Sequence, residues 1–426
     1  MNNTLNISTK NTSLAHWAML VLLITSIFFL EGCAPSVPGS QVPDHVAPMM
    51  TQTELPEQEL LNVSIMIFDP GQLPTNGEQR RGLSPEIREA EARFVPVHLK
   101  YTMQRTGFWG AVRVVPDDDN GSEILISGKI EYSDGESAAL TIEVVDSRNI
   151  LWFRKTYAET SRPFEHNGTE PEKKDIFQDL FNTIANDIAA YRNRLHPREI
   201  EQIRQTAELR YGAEMVPDVF GQYLAMDQQR RINLVHLPSP DDPMLARVRN
   251  IRARDDMLID AINGYYEAYY RDLWEPYSNW RKFRTDEVLA MRQLEREALT
   301  QQVLGIAAIV GAIAIGVSAD IDTQIRTSTL QDVMLAGGAY AVYSGTQKQA
   351  ESAINKEAIE ELGASFSSEA EPLVIEVEGE SIRLTGTAEQ QYARWRRLLR
   401  DLYAKETGLV DSTLPPPDQF NPASTP

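Results

Sequence analysis

One cysteine, Cys33, is all that 426 residues contain. A chain with a single thiol forms no internal disulfide and no thiolate metal cluster, so its fold must be held by packing alone. The six histidines (16, 45, 98, 166, 196 and 236) are scattered singly, without HxxxH or HExxH spacing, which argues against a histidine-based metal site. Motifs of the GxSxG, SxxK, Walker and GxGxxG types are missing as well. The run Asp117-Asp118-Asp119-Asn120-Gly121 lacks the alternate ligands and distal glutamate of a calcium loop and reads as a solvated turn. Bases are few: 41 Lys and Arg face 61 Asp and Glu, and the resulting net charge of -20 repels nucleic acid phosphates. These absences point to a non-enzyme with no cofactor, no metal and no nucleic-acid partner. An apolar content of 42% with 24% charged residues fits ordinary globular material, enough for two or three domains.

The amino terminus carries the clearest pattern. Trp17 to Leu30 is a continuous apolar run, too short for a membrane span and of the right length for the apolar region of a signal peptide. It leads directly into Leu30-Glu31-Gly32-Cys33. This arrangement resembles the lipobox of bacterial lipoproteins, which implies cleavage after residue 32, acylation of Cys33 and anchorage in a membrane. Glu31 departs from the small or apolar residue usual at its place. Ala34 follows the cysteine where an aspartate would signal inner-membrane retention, so the resemblance implies the periplasmic face of an outer membrane. Residues 33–59 hold the acylated cysteine and a proline-rich stretch expected to be a tether, whose 25 residues from 34 to 58 could reach roughly 80 Å.

The pattern from 60 to 194 predicts an α/β domain of order β-α-β-β-β-β-α, one sheet with helices on one side. Strands are expected at 62–68, 111–115, 123–132, 138–146 and 150–157, the last three as a meander. Ser84-Pro85-Glu86 opens a helix as N-cap, first-turn proline and first-turn acid. Ile87, Ala90, Phe94, Val97 and Tyr101 give its apolar face, Pro96 should kink it, and Gly107 ends it. A second helix covers 174–194. The stretch Leu99-Lys100-Tyr101 through Thr106-Gly107-Phe108-Trp109-Gly110, followed by Ile124-Leu125-Ile126-Ser127-Gly128-Lys129-Ile130, resembles the small α/β domain at the amino terminus of TolB and in CsgG-type envelope lipoproteins. No catalytic residue comes with that likeness.

From 195 to 363 the pattern is helical. Tyr266, Tyr270, Trp274 and Tyr277 share one face of an aromatic-rich segment, and packing between helices accounts for them better than a glycan-binding platform does. Residues 303–319 contain no charge until their end at Ala319 and would run about 26 Å as a helix. Ala308, Ala312 and Gly316 lie four apart, as do Gly337, Ala341 and Gly345 in the apolar segment 333–345. Two such stripes let backbones approach closely, so 303–346 is expected to form a glycine-zipper-like helical hairpin, packed rather than membrane-inserted. Residues 364–410 are expected to add a β-hairpin around Gly379 and a helix at 387–405. That helix should turn Tyr392, Trp395, Leu398, Leu399, Leu402 and Tyr403 inward and Arg394, Arg396, Arg397 and Arg400 largely outward. The tail 411–426 is expected to be disordered.

The fold class expected is therefore α+β. The function expected is that of a lipid-anchored envelope protein that binds or organises other envelope proteins, with self-association through the hairpin as one route. The alternatives are a hydrolase of envelope polymer using paired carboxylates, or a hairpin that inserts into the membrane. If the hairpin arms pack against each other, Ala341→Leu should overpack the contact and destabilise the protein by about 1–3 kcal/mol in urea unfolding, while the control Glu361→Leu should not.

Overall fold

The sheet is built outward from Leu61, Val63 and Ile65, whose side chains alternate onto one face and are buried there. The computed structural model describes residues 39–73, 75, 83–118, 121–161, 175–314, 354, 356–364, 373–377 and 380–407. For 287–314, 373–381 and 402–407 it describes the backbone alone. In chain order the first elements are β1 (Ser40–Gln41), β2 (Leu61–Met66), α1 (Pro85–Gln104), β3 (Trp109–Val115), β4 (Ile124–Ser133), β5 (Ser137–Asp146), β6 (Leu151–Thr160) and α2 (Gln178–Arg192). The protein is α+β, and from β2 to α2 the order is the one its sequence predicts. Ser84 caps α1 by accepting from the Ile87 amide, and the helix continues through Pro96 without interruption.

Six strands pair in the order β1-β6-β5-β4-β2-β3. β2 is parallel to both β3 and β4, while β4, β5 and β6 form the expected antiparallel meander. On the inner face Ile126, Ile142, Val144 and Tyr157 pack against Leu99 and Met103 of α1 and Leu180, Ile184 and Ile188 of α2. The other face carries Lys129, Glu131, Thr141, Glu143, Arg154 and Thr156, joined by the ion pairs Lys129–Glu131 and Glu143–Arg154 and by hydroxyl hydrogen bonds.

The proline-rich stretch corrects the expected tether. Residues 39–60 lie along the body as a strap: β1 pairs in parallel with Tyr157 and Ala158 of β6, and Val42 and Leu55 pack on the sheet's core. Gly107 shows how close the strap comes. At φ +77°, it would place a Cβ only 2.6 Å from the Thr51 hydroxyl, so no larger residue fits the turn between α1 and β3.

Beyond α2 come α3 (Pro197–Met215), the single turn α4 (Pro217–Phe220), β7 (Leu224–Met226), β8 (Ile232–Leu234), α5 (Pro243–Ala314), β9 (Leu373–Val377), β10 (Glu380–Leu384) and α6 (Ala388–Thr407). The short β7–β8 hairpin has too few residues to show an alternating pattern in the sequence. The C-terminal hairpin and helix fall where expected, apart from residues 378 and 379, which lie outside the described set. α5 is one helix of 72 residues, about 108 Å long, where the sequence suggested separate segments. It contains Pro276 and passes 303 with nothing to break it. The described part of the expected hairpin is thus the far end of α5; 315–346 lie outside the described residues.

A second core joins Leu209 and Phe220 to Ile251, Leu258 and Ile262 of α5, Trp395 and Leu399 of α6, and Val114 of β3. A third gathers Phe94 of α1 with Tyr269, Leu273, Tyr277 and Trp280 of α5 and Ile359 of the helical segment 356–364. The division expected at 195 does not separate cores, because Ile200 and Ile203 of α3 complete the sheet's own. The described residues from 39 onward belong to one compact unit.

α5 also closes the edge of the sheet. The Val114 amide of β3 donates to Asn263 Oδ1 (2.9 Å), and the Asn263 amide group donates in turn to Glu267, which pairs with Lys100. An open edge strand offers free amides to other chains, and a side-chain amide on a crossing helix removes that offer. Asn263→Ala should leave the Val114 amide buried without a partner and lower stability by about 1–3 kcal/mol in urea unfolding.

Candidate functional site

The densest chemistry in the molecule lies where α5 crosses α1. Asp175, just ahead of α2, accepts two hydrogen bonds from Arg281 of α5 at 3.0 and 2.6 Å, and both side chains are buried. This is the bidentate fork that guanidinium and carboxylate form best. The Arg281 guanidinium also lies 4.3 Å from the centre of the Tyr277 ring. Tyr277 donates to Glu91 Oε1 (2.8 Å), and the Ser133 hydroxyl donates to the same oxygen (2.6 Å). Arg88 donates to the Ser133 carbonyl. Two turns beyond Glu91 on α1, His98 bridges Tyr270 of α5 and Gln178 of α2.

The electrostatics match that geometry. Burial alone would raise the Asp175 carboxyl, yet Arg281 beside it holds it below the usual range. Burial would lower Arg281, and the Asp175 charge holds it above its ordinary value. Burial drives Tyr277 well up, with Glu91 adding to the effect. Burial likewise lowers His98, so it is the neutral imidazole: Nε2–H donates to Gln178 Oε1, and Nδ1 accepts from the Tyr270 hydroxyl. A cavity of about 20 Å³ lies among Glu91, Phe94, Ser133, Tyr277 and Arg281, room for a single water and nothing larger. Such an arrangement can hold helices in register. It offers no approach for a substrate.

A second ionic cluster ties α6 to the body and corrects the expected helix face. Arg396 is buried rather than outward: its guanidinium reaches Asp255 of α5 and Glu214 of α3, the latter at 2.6 Å. Trp395 Nε1 donates to the other Asp255 oxygen at 3.0 Å. Burial acts to lower the Arg396 pKa, but the two acids hold it well above its ordinary value. The sequence shows four arginines on this helix, and only the acids on α3 and α5 select which one turns inward.

An open groove of about 440 Å³ lies between the strap and the α1–β3 turn, lined by Thr51, Gln52, Thr53, Glu54, Leu55, Leu60, Gly107 and Trp109. Trp109 Nε1 is buried without a hydrogen-bond partner among the described residues. One carboxylate, Glu54, lines it, short of the pair that acid–base hydrolysis requires.

Of the residues singled out in the sequence, Cys33, Gly316, Gly337, Ala341 and Gly345 lie outside the described residues. Ala308 and Ala312 are placed on α5 by its backbone. The aromatic stripe is packing, as expected: Tyr266, Tyr269, Tyr277 and Trp280 are buried, and the rings of Tyr270 and Tyr277 lie 4.6 and 4.8 Å from that of Phe94. Among the described residues no group of three or more His, Cys, Asp or Glu side chains is placed to hold a metal ion. No described helix is long and apolar enough to cross a membrane. Sequence reading missed Asp175, Arg281, Glu91 and His98, whose partners lie up to 186 positions away. No protein family, curated protein or solved structure matches the chain.

The buried neutral His98 sets a pH dependence. Its folded pKa lies below the ordinary 6.5, so as the pH falls through 6.5 the unfolded chain takes up a proton that the folded chain refuses. Stability from this group is complete above that pH and declines below it, down to the folded pKa. The Asp175–Arg281 pair acts only lower, below the carboxyl's ordinary 3.8. Chemical unfolding of the wild type should therefore show stability falling from pH 7 to pH 5, and His98→Gln should make that slope shallower.

Proposed function

We propose that the protein is a non-catalytic envelope lipoprotein, anchored through Cys33 at the periplasmic face of the outer membrane, that binds or organises other envelope proteins. The observation that carries the reading is the reach of α5. The backbone of α5 runs on as helix to Ala314, about 43 Å beyond Thr285, which is buried in the body. Ile359 lies in the same core cluster as Trp280. A helix of that length suits contact with another protein or a second copy of the chain. The commitment of Glu91, Asp175 and Asp255 to internal hydrogen bonds supports the same reading, since these buried acids are engaged in holding helices together. The sequence likeness of residues 60–194 to envelope α/β domains belongs to this proposal as well.

Labelled palmitate should enter the wild-type protein in cells and not Cys33→Ser, and a photo-crosslinker placed along 303–314 should give discrete protein adducts in intact envelopes. Equal labelling of both forms would remove the anchor. Soluble fragments released from isolated envelope polymer by the purified protein would replace this reading with that of a hydrolase.

A further inference from the structure

Two buried charges beside the small cavity, Arg281 and Glu91, each carry a polar atom that lacks a hydrogen bond. The Arg281 guanidinium is planar and presents its donors in that plane. Nη1 and Nη2 donate to Asp175, and the ring centres of Tyr277, Phe177 and Phe94 lie 4.3, 5.6 and 5.8 Å from its Cζ. Its Nε is buried without a partner among the described residues. Glu91 is the converse case on α1. Its Oε1 accepts from both Tyr277 and Ser133, while Oε2 is buried without a partner among the described residues. Arg88 forms an ion pair with it, but Nε of that arginine lies 3.7 Å from Oε2, beyond hydrogen-bond length. Polar groups separated by such a gap are commonly bridged by solvent.

Arg281, Glu91 and Ser133 all line the cavity of about 20 Å³. A water needs roughly 10–15 Å³ of such space and two to four polar neighbours. The volume admits one water and no organic ligand. The walls supply the neighbours: a donor on Arg281, an acceptor on Glu91, and Ser133 Oγ, which gives its proton to Glu91 Oε1 and keeps its lone pairs. Cavities that stay empty are apolar, whereas this one has a charge of each sign on its wall. An anion there would face the Glu91 carboxylate, and a metal cation would face the Arg281 guanidinium. A neutral molecule that both donates and accepts suits the two together.

We propose that the cavity is the binding site of one resident water, which accepts from Arg281 Nε–H and donates to Glu91 Oε2 and to Ser133 Oγ. Three hydrogen bonds are the usual complement of a buried water. This molecule joins α5, α1 and β4 at one point, and it makes a single network of the Asp175–Arg281 and Glu91–Arg88 pairs. It also reverses the ordinary effect of filling a cavity. In a dry apolar hole an added methyl group gains contacts. Here it expels the water and leaves Nε and Oε2 unpaired in the interior.

Crystals of the full chain diffracting to atomic resolution test the site directly. A single solvent peak should lie roughly 2.7–3.2 Å from both Arg281 Nε and Glu91 Oε2. In solution, oxygen-17 relaxation dispersion should count one long-lived water fewer in Ala138→Val than in the wild type, because Ala138 lines the same cavity and the added methyl groups fill it. Ala138→Val should also unfold at a lower urea concentration, and Ala138→Ser, whose hydroxyl brings its own donor and acceptor, should unfold nearer the wild type. An empty cavity in the wild-type density, or a direct hydrogen bond between Arg281 and Glu91 in place of the peak, would overturn the proposal. So would an Ala138→Val protein more stable than the wild type, or an equal count of long-lived waters when its own crystal shows the cavity filled. If Ala138→Val does not fold, the wild-type density decides alone.

Discussion

The pairing of Asp175 with Arg281 is the constraint on which the arrangement of the body turns. Each charge is buried, and each would cost several kcal/mol if it were left alone there. α5 can dock on α1 only in the register that brings the two together. With that register set, Tyr277 reaches Glu91, Tyr270 reaches His98, and the rings of Tyr270, Trp274 and Tyr277 close around Phe94. The same docking carries Asn263 to the amide of Val114 and so seals the β3 edge. The edge cover and the aromatic layer thus share one register with this pair of charges. Arg396 with Asp255 and Glu214 repeats the device for α6, nearer the start of α5.

The strap is held differently. Its contacts are hydrogen bonds, mostly from side chains to its backbone, each contributing about 0.5–1.5 kcal/mol net. None of its residues is fully buried, and Val42 and Leu55 supply partial apolar cover. Segments of that kind sit at the low end of a protein's local stability and open before the core does. The body and the strap therefore differ in how firmly they are fixed. The body is fixed by buried charge and packed rings, and the strap by a row of polar side chains on α2, Asp179, Asn182 and Asn186, bonded to its backbone.

Strand and helix positions in the α/β part were legible because alternation and the three- and four-residue spacing are local. Val63 and Ile65 in β2, Leu140, Ile142 and Val144 in β5, and Leu180, Ile184 and Ile188 in α2 announce their elements and their buried faces within a few residues. The aromatic stripe of α5 was legible as packing for the same reason. The strap was not, since it has no periodicity and its partners on α2 are more than 130 positions away. Asn182 and Asn186, poor helix formers within α2, are the residues that bond the strap's backbone.

The sequence by itself determined the α+β class, the order of elements from 60 to 194, the C-terminal hairpin and helix, and the apolar faces that build the three cores. Each of these depends on residues near one another in the chain, where the period of side-chain direction does the sorting. Tertiary structure alone decided which charged residues are buried: Arg281 and not Lys282, Arg396 and not Arg394 or Arg397. A charge goes inside only where an opposite charge from a distant element meets it, and the positions of those elements are set by the cores. The same holds for the proline-rich stretch, which the body converts from a tether into a strap through partners that no local pattern reveals.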